Sequence, residues 1–322
     1  MNGKFSNGKG YSGMPQTKYN APKAVDHAQI MSSPKTITLF DKIIPGREFE
    51  SLLAAFKPGS AVNIDIATEI RRAISEVEKI RGRPLICYVA NVVSSKIKAP
   101  TGIDNNDDLP FAEMISMIPA EIREVDILLV TPGGSGEQIG KFVNKLRPRF
   151  DYVGFILPNM AMSAGTIFVT SGDEIIMDSR AYIGPIDPQV PNREGRFIPA
   201  QSILTLIKDI QDRGQEKIDK GKNPDWTDMQ ILNRIDARDI GSAKNGSQYS
   251  IELVTKYLID YKFKSWTNHS TTGLPVTPIE KQAKAKEIAN LLCDHGEWKT
   301  HSRGITRESA WTDCKLKITN LE

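Results

Sequence analysis

Over residues 64–80, Ile66, Ile70, Ile74, Val77 and Ile80 recur at intervals of three or four, the spacing of one helix face. Short, almost continuously apolar runs follow at Pro84–Ala90, Ile127–Val130, Tyr152–Leu157 and Glu174–Met177. They alternate with helical patterns at Phe111–Ile118, at Gly136–Leu146 and from Ser163 onward. Strands this apolar are covered on both faces, so the alternation predicts an α/β fold with a mostly parallel sheet. After Met177, three prolines within Gly184–Pro191 predict a rigid extended loop. Helices are expected at Pro199–Gln211, Ile251–Lys262 and Ile279–Cys293, the last capped by Thr277 with Pro278 at its first position.

Residues 1–33 are rich in Gly, Ser, Asn, Lys and Pro and show neither period, so they read as a mobile tail. Thr36–Ile44 reads as a short strand or extended arm. The expected organisation is this tail and a single domain over 34–322, whose last part, from about residue 200, is a helical extension.

Two strand-to-helix junctions carry candidate chemistry. Asp126–Val130 runs into Thr131-Pro132-Gly133-Gly134-Ser135-Gly136, where glycines permit positive φ and close approach of a ligand to the main chain. The turn lacks the Lys-Ser/Thr of a P-loop and the full Gly-x-Gly-x-x-Gly spacing, so nucleotide binding is not indicated. The second junction is Pro158-Asn159-Met160-Ala161-Met162-Ser163-Ala164-Gly165-Thr166. Ser163 there is either a nucleophile beside unpaired helix N–H groups or an ordinary capping serine. Both junctions fall at carboxyl ends of strands, the edge where parallel sheets bind ligands.

Composition excludes more than it assigns. The 322 residues carry 42 Lys and Arg against 39 Asp and Glu, a net charge of +3, which does not call for a nucleic-acid partner. Cys87, Cys293 and Cys314 form no Cys-x-x-Cys pair, and His27, His269, His295 and His301 form no His-Glu-x-x-His motif. No metal or other cofactor is expected. His295 and His301 lie close in sequence and read as polar packing residues near a turn. No apolar run approaches the roughly 20 residues of a membrane span, and Met1–Ser6 has no signal-peptide pattern, so the expected location is cytoplasmic with no integral membrane segment.

Thr131-Pro132-Gly133-Gly134, Ala161-Met162-Ser163-Ala164-Gly165-Thr166, Asp173–Met177 and Gly184-Pro185-Ile186-Asp187-Pro188-Gln189 occur in an order that resembles the serine dehydrogenase proteinase family. That family lies in the Clp-protease and signal-peptide-peptidase group of the crotonase-like superfamily. The resemblance implies a ClpP/crotonase-like ββα superhelix, a Ser163 nucleophile, and an oxyanion hole from Gly133 or Gly134 with Ala164. It also implies a peptide or unfolded-protein substrate lying extended beside a strand edge, and a homo-oligomer.

The matching stretch has Gly184 where Clp-type peptidases have their histidine. Signal-peptide peptidases use a lysine instead, so the expected base is Lys208, with Lys217 and Lys244 behind it. A lysine serves as base only when desolvation or nearby positive charge keeps part of it neutral. Asp187 would orient a base or substrate group, or hold its loop; Gln189 and Gln201 are weaker candidates. The alternatives are a crotonase-like acyl-thioester enzyme or a catalytically silent scaffold of the same fold.

Overall fold

The computed structural model describes residues 66–92, 101–191, 195 and 197–321. The expected tail over 1–33 and the arm at Thr36–Ile44 lie outside the described residues. The chain divides into two compact units, 1–73 and 74–322. Helix α1 (Ile66–Arg81) follows the expected period, but Ile70 and Ile80 on its apolar stripe are 54% and 83% exposed.

The second unit is built on a five-stranded sheet in the order β1-β2-β3-β5-β10, every neighbouring pair parallel. Its strands are β1 (Leu85–Val89), β2 (Glu124–Val130), β3 (Tyr152–Leu157), β5 (Glu174–Met177) and β10 (Thr319–Asn320). A smaller sheet takes the chain on from the carboxyl ends of these strands. It contains β4 (Met160–Ala161), β6 (Tyr182–Ile183) and β9 (Ile305–Thr306), and Thr131, just past β2, bridges Ala161. The chain therefore visits the large sheet, then the small one, then a helix. This is the ββα repeat, produced by apolar strands that end in sharp turns.

Helix α2 (Asp108–Met117), α3 (Gly136–Leu146) and α4 (Ala164–Val169) cover this framework. Their core is aromatic: Phe111 stacks on Phe142 at 4.2 Å between ring centroids, and Phe168 meets Phe155 edge-on at 4.8 Å. Burying large rings against several neighbours supplies much of the packing energy of such a core.

The Gly184–Pro191 segment is extended, as its prolines require, and ends in strand β7 (Gln189–Pro191), which pairs antiparallel with β8 (Phe197–Pro199). Helices α5 (Ala200–Asp219), α6 (Trp226–Leu232), α7 (Ala237–Tyr257), α8 (Pro278–Cys293), α9 (His295–Trp298) and α10 (Arg307–Thr312) follow. The helix expected at Ile251–Lys262 begins much earlier, at Ala237, and its last residues form a π-turn, Leu258–Lys262. Gly241 and Gly246 disguise its first half. Gly246 is there for packing, since a Cβ on it would lie 3.2 Å from the Pro188 ring. Helix α8 starts as expected, with Thr277 and Glu280 in a reciprocal capping box.

Candidate active site

Ser163 occupies the junction between β4 and α4 with φ 52° and ψ −116°, one of three non-glycine residues at positive φ among those described. Such a backbone costs of order 1–3 kcal/mol and must be imposed by its surroundings. Met162 N–H donates to Thr131 O at 3.0 Å, fixing the strand side, while Gly165 N–H donates to Met162 O at 2.8 Å and closes the turn. The small residues after the serine let α4 press against β2. A Cβ on Gly165 would lie only 2.5 Å from Thr131 Cγ2. The Ser163 side chain, half-buried, makes no capping hydrogen bond.

The glycine turn approaches this serine directly. Gly133 has φ 109° and Gly134 φ 143°. A Cβ on Gly133 would fall 2.8 Å from both Met162 O and Ser163 Cβ, and 3.4 Å from Ala164 N. The adjoining segment at Ile103 holds the turn from the other side, through Ile103 N–H to Gly133 O and Ser135 N–H to Ile103 O, each 2.8 Å.

The three N–H groups of the expected oxyanion hole differ. Gly133 N–H donates to Thr131 Oγ1 at 3.1 Å and is thereby engaged. Gly134 N–H and Ala164 N–H have no hydrogen-bond partner among the described residues. Two free backbone donors therefore flank the serine, an arrangement suited to holding a developing oxyanion.

Lys208 is exposed on α5, as is Lys244 on α7, and Lys217 is ion-paired with Asp225. None of these side chains has the desolvation that a neutral lysine base requires. The fold does desolvate Lys262, whose amine burial pulls down to about 8. Lys262 Nζ, however, is 3.4 Å from Asp173 O, at the amino end of β5, the sheet edge opposite the serine.

Asp187 is fully buried and holds two imidazoles. His301 Nδ1 lies 2.7 Å from its Oδ1 and His295 Nδ1 lies 3.2 Å from its Oδ2. Each histidine remains partly open to solvent. With Nδ1–H donated to the carboxylate, Nε2 of each ring is left as the acceptor, the tautomer a general base needs.

The small sheet makes this meeting possible. β6 pairs with β9, Tyr182 opposite Thr306 and Ile183 opposite Ile305; continuing that register sets Asp187 opposite His301. Ile186 N–H donates to Leu292 O at 2.9 Å, anchoring the loop to α8, and Asp294 caps α9 just before His295.

The same sheet ties the Asp187 loop to the serine. β4 pairs with β6, Ala161 opposite Ile183, so Gly184 lies against Met162, next to Ser163. A Cβ on Gly184 would meet Met162 Cε at 2.4 Å and Sδ at 2.8 Å. A side chain at the position that a Clp-type histidine would take would have to displace the end of Met162. The two histidines, which the sequence assigns to packing, come from far downstream and meet at Asp187. Gln189 opens β7 with its Nε2 buried and unpartnered, and Gln201 is half-buried at the start of α5. Among the described residues no group of three His, Cys, Asp or Glu side chains is arranged to hold a metal, and no helix is long and apolar enough to cross a membrane.

The family model described as ClpP-like SDH-type serine proteinase matches residues 65–224. That span holds Ser163, both glycines, Ala164 and Asp187 and stops short of both histidines. Two proteins of Methanocaldococcus jannaschii are similar. Uncharacterized protein MJ0137 is 38% identical over 191 residues, 58% of this chain and 51% of its own length. Uncharacterized protein MJ1495 is 32% identical over 139 residues, 41% of this chain and 44% of its own. The chain thus spans about half the length of these relatives.

Among solved structures, a serine-to-alanine mutant of the 1510-N membrane-bound stomatin-specific protease overlaps 73% of this chain and 77% of its own, at 14% identity and a TM-score of 0.40. The ClpP protease catalytic domain from Plasmodium falciparum overlaps 38% of this chain and 62% of its own, at 13% identity and 0.29. These two overlaps are too loose to carry an argument. The family rests on the motif-bearing segment itself: over residues 65–224 this chain belongs to the ClpP-like SDH-type serine proteinases.

Proposed function

We propose that the chain hydrolyses peptide bonds through an acyl-enzyme on Ser163, with His301 as general base and Asp187 as its orienting carboxylate. The observation that carries this reading is the pair of unpartnered N–H groups, Gly134 and Ala164, on either side of a serine held at positive φ. His301 is favoured over His295 by its shorter contact with Asp187 and by the β6–β9 register. It replaces Lys208 in this reading because the lysine is exposed.

In the first half-reaction Ser163 Oγ attacks the carbonyl carbon and its proton passes to His301 Nε2. The carbonyl oxygen, now an anion, accepts from Gly134 and Ala164 N–H. Collapse expels the amine, which takes the proton from His301. Water then repeats the sequence against the ester, releasing the acid and restoring the serine. A crotonase-type reaction would use the same N–H pair but gives no role to the Asp187 imidazoles. The proposed substrate is a peptide or unfolded protein lying extended beside the site, and the proposed assembly is a homo-oligomer in the cytoplasm.

A serine-reactive phosphonate tests the nucleophile. Mass spectrometry should find the adduct on Ser163 in the wild type and none in Ser163→Ala. Equal labelling of the two proteins removes Ser163 from the mechanism.

A further inference from the structure

Tyr249, on α7, lies over a glycine face of α3. A Cβ on Gly136 would meet Tyr249 Cε1 at 3.8 Å and Ile167 Cδ1 at 3.9 Å, and one on Gly140 would meet the Tyr249 hydroxyl at 3.1 Å. Gly136 and Gly140 are one helical turn apart on one face; a Cβ at Gly140 would crowd the hydroxyl, while one at Gly136 would make ordinary contact with the ring. Gly136 is two residues beyond Gly134, and Ile167 is one turn beyond Ser163. The ring therefore stands at the meeting of the two helices that begin at the oxyanion donors.

It is not sealed there. Tyr249 stays 36% exposed, and its hydroxyl has no hydrogen-bond partner among the described residues. Glu137, the residue after Gly136, is exposed; its Oε2 accepts from Ser135 Oγ at 2.8 Å, and its Oε1 has no partner among the described residues. Glu137 directly follows Gly136, against which the ring rests, and the Tyr249 hydroxyl is pushed above its usual range, first by burial and then by the Glu137 charge.

We propose, on the peptidase reading above, that Tyr249 and Glu137 form a subsite beside Gly134 that selects a lysine or arginine side chain of the peptide substrate. A peptide whose carbonyl oxygen meets Gly134 N–H passes over the first turn of α3. A long aliphatic stem lies along the Tyr249 ring there, and its cationic head meets the Glu137 carboxylate and the aromatic surface together. Glutamate at the same place meets like charge.

Internally quenched peptides that differ only in the residues flanking the scissile bond test this, with arginine, lysine, norleucine or glutamate at each position. At one position the wild type should cleave the arginine and lysine peptides about tenfold faster than norleucine, judged by kcat/KM. Glu137→Gln and Tyr249→Ala should each reduce that ratio severalfold. Glu137→Lys should turn the preference toward glutamate, a gain that a misfolded variant does not show.

Wild-type ratios near one at every position overturn the subsite, as do wild-type ratios in all three folded variants. Phosphonate labelling keeps the two ideas apart. An unlabelled wild-type Ser163 sinks the peptidase reading, whereas a labelled Ser163 with indifferent cleavage sinks only the subsite.

Discussion

Gly133 and Ser163 sit so close that a Cβ on the glycine would come within 2.8 Å of the serine Cβ. Position 133 also has φ 109°, which side-chain-bearing residues rarely adopt. Gly133→Ala is therefore expected to cost about 2 kcal/mol or more of stability and to displace the serine. Chemical denaturation and phosphonate labelling should both report the change. A variant with wild-type stability and labelling would refute the close approach.

Ser163 itself stores strain at φ 52°. Ser163→Gly should be more stable than Ser163→Ala by about 1–2 kcal/mol, although both lose the hydroxyl. Paired denaturation curves measure this directly. An alanine variant as stable as the glycine variant would mean the turn is not strained.

Asp187→Asn should leave the fold in place and slow phosphonate labelling of Ser163 by about four orders of magnitude, because an amide no longer selects the imidazole tautomer with Nε2 free. His301→Ala should be as damaging, and His295→Ala less so. The reverse order for the two histidines would transfer the base to His295.

Lys262 makes stability depend on alkaline pH. Its amine falls from 10.5 to about 8 through burial, so between these values the unfolded chain binds a proton that the folded chain does not. Stability attributable to this group therefore rises with pH across the window. Cys293 and Cys314 act oppositely above their usual 9, since burial pushes both thiols up to about 12. Unfolding free energies of wild type and Lys262→Met, compared from pH 7 to 10.5, isolate the lysine. The variant should be the more stable at pH 7, by at most about 3 kcal/mol, and the gap should close as pH rises. A constant gap would show that Lys262 does not titrate in that window.

Local signals made much of the framework legible. Gly136–Leu146, Tyr152–Leu157 and Glu174–Met177 have the bounds expected from apolar periodicity, and Thr277-Pro278 announces α8. The start of α7 was hidden because glycines and serines there serve contacts with other elements, as Gly246 does with Pro188. The same division holds at the site. Ser163 and the glycine turn are visible because strain and close approach demand particular residue types at consecutive positions. The histidines at Asp187 are not, because their partner is 108 and 114 residues away and the pairing depends on strand register rather than on any local pattern. Lys208 follows the apolar residues Ile203, Leu204 and Ile207 in sequence, yet it projects from α5 into solvent.

That long separation between Asp187 and its imidazoles bears on the order of events during synthesis. A ribosome exposes the serine, the glycine turn and the carboxylate well before either histidine leaves the exit tunnel. Until β9 pairs with β6, Asp187 has neither imidazole in the register that brings them together. On the proposed mechanism, a proton acceptor that arrives late, just before β9, ties the onset of reactivity to completion of the small sheet.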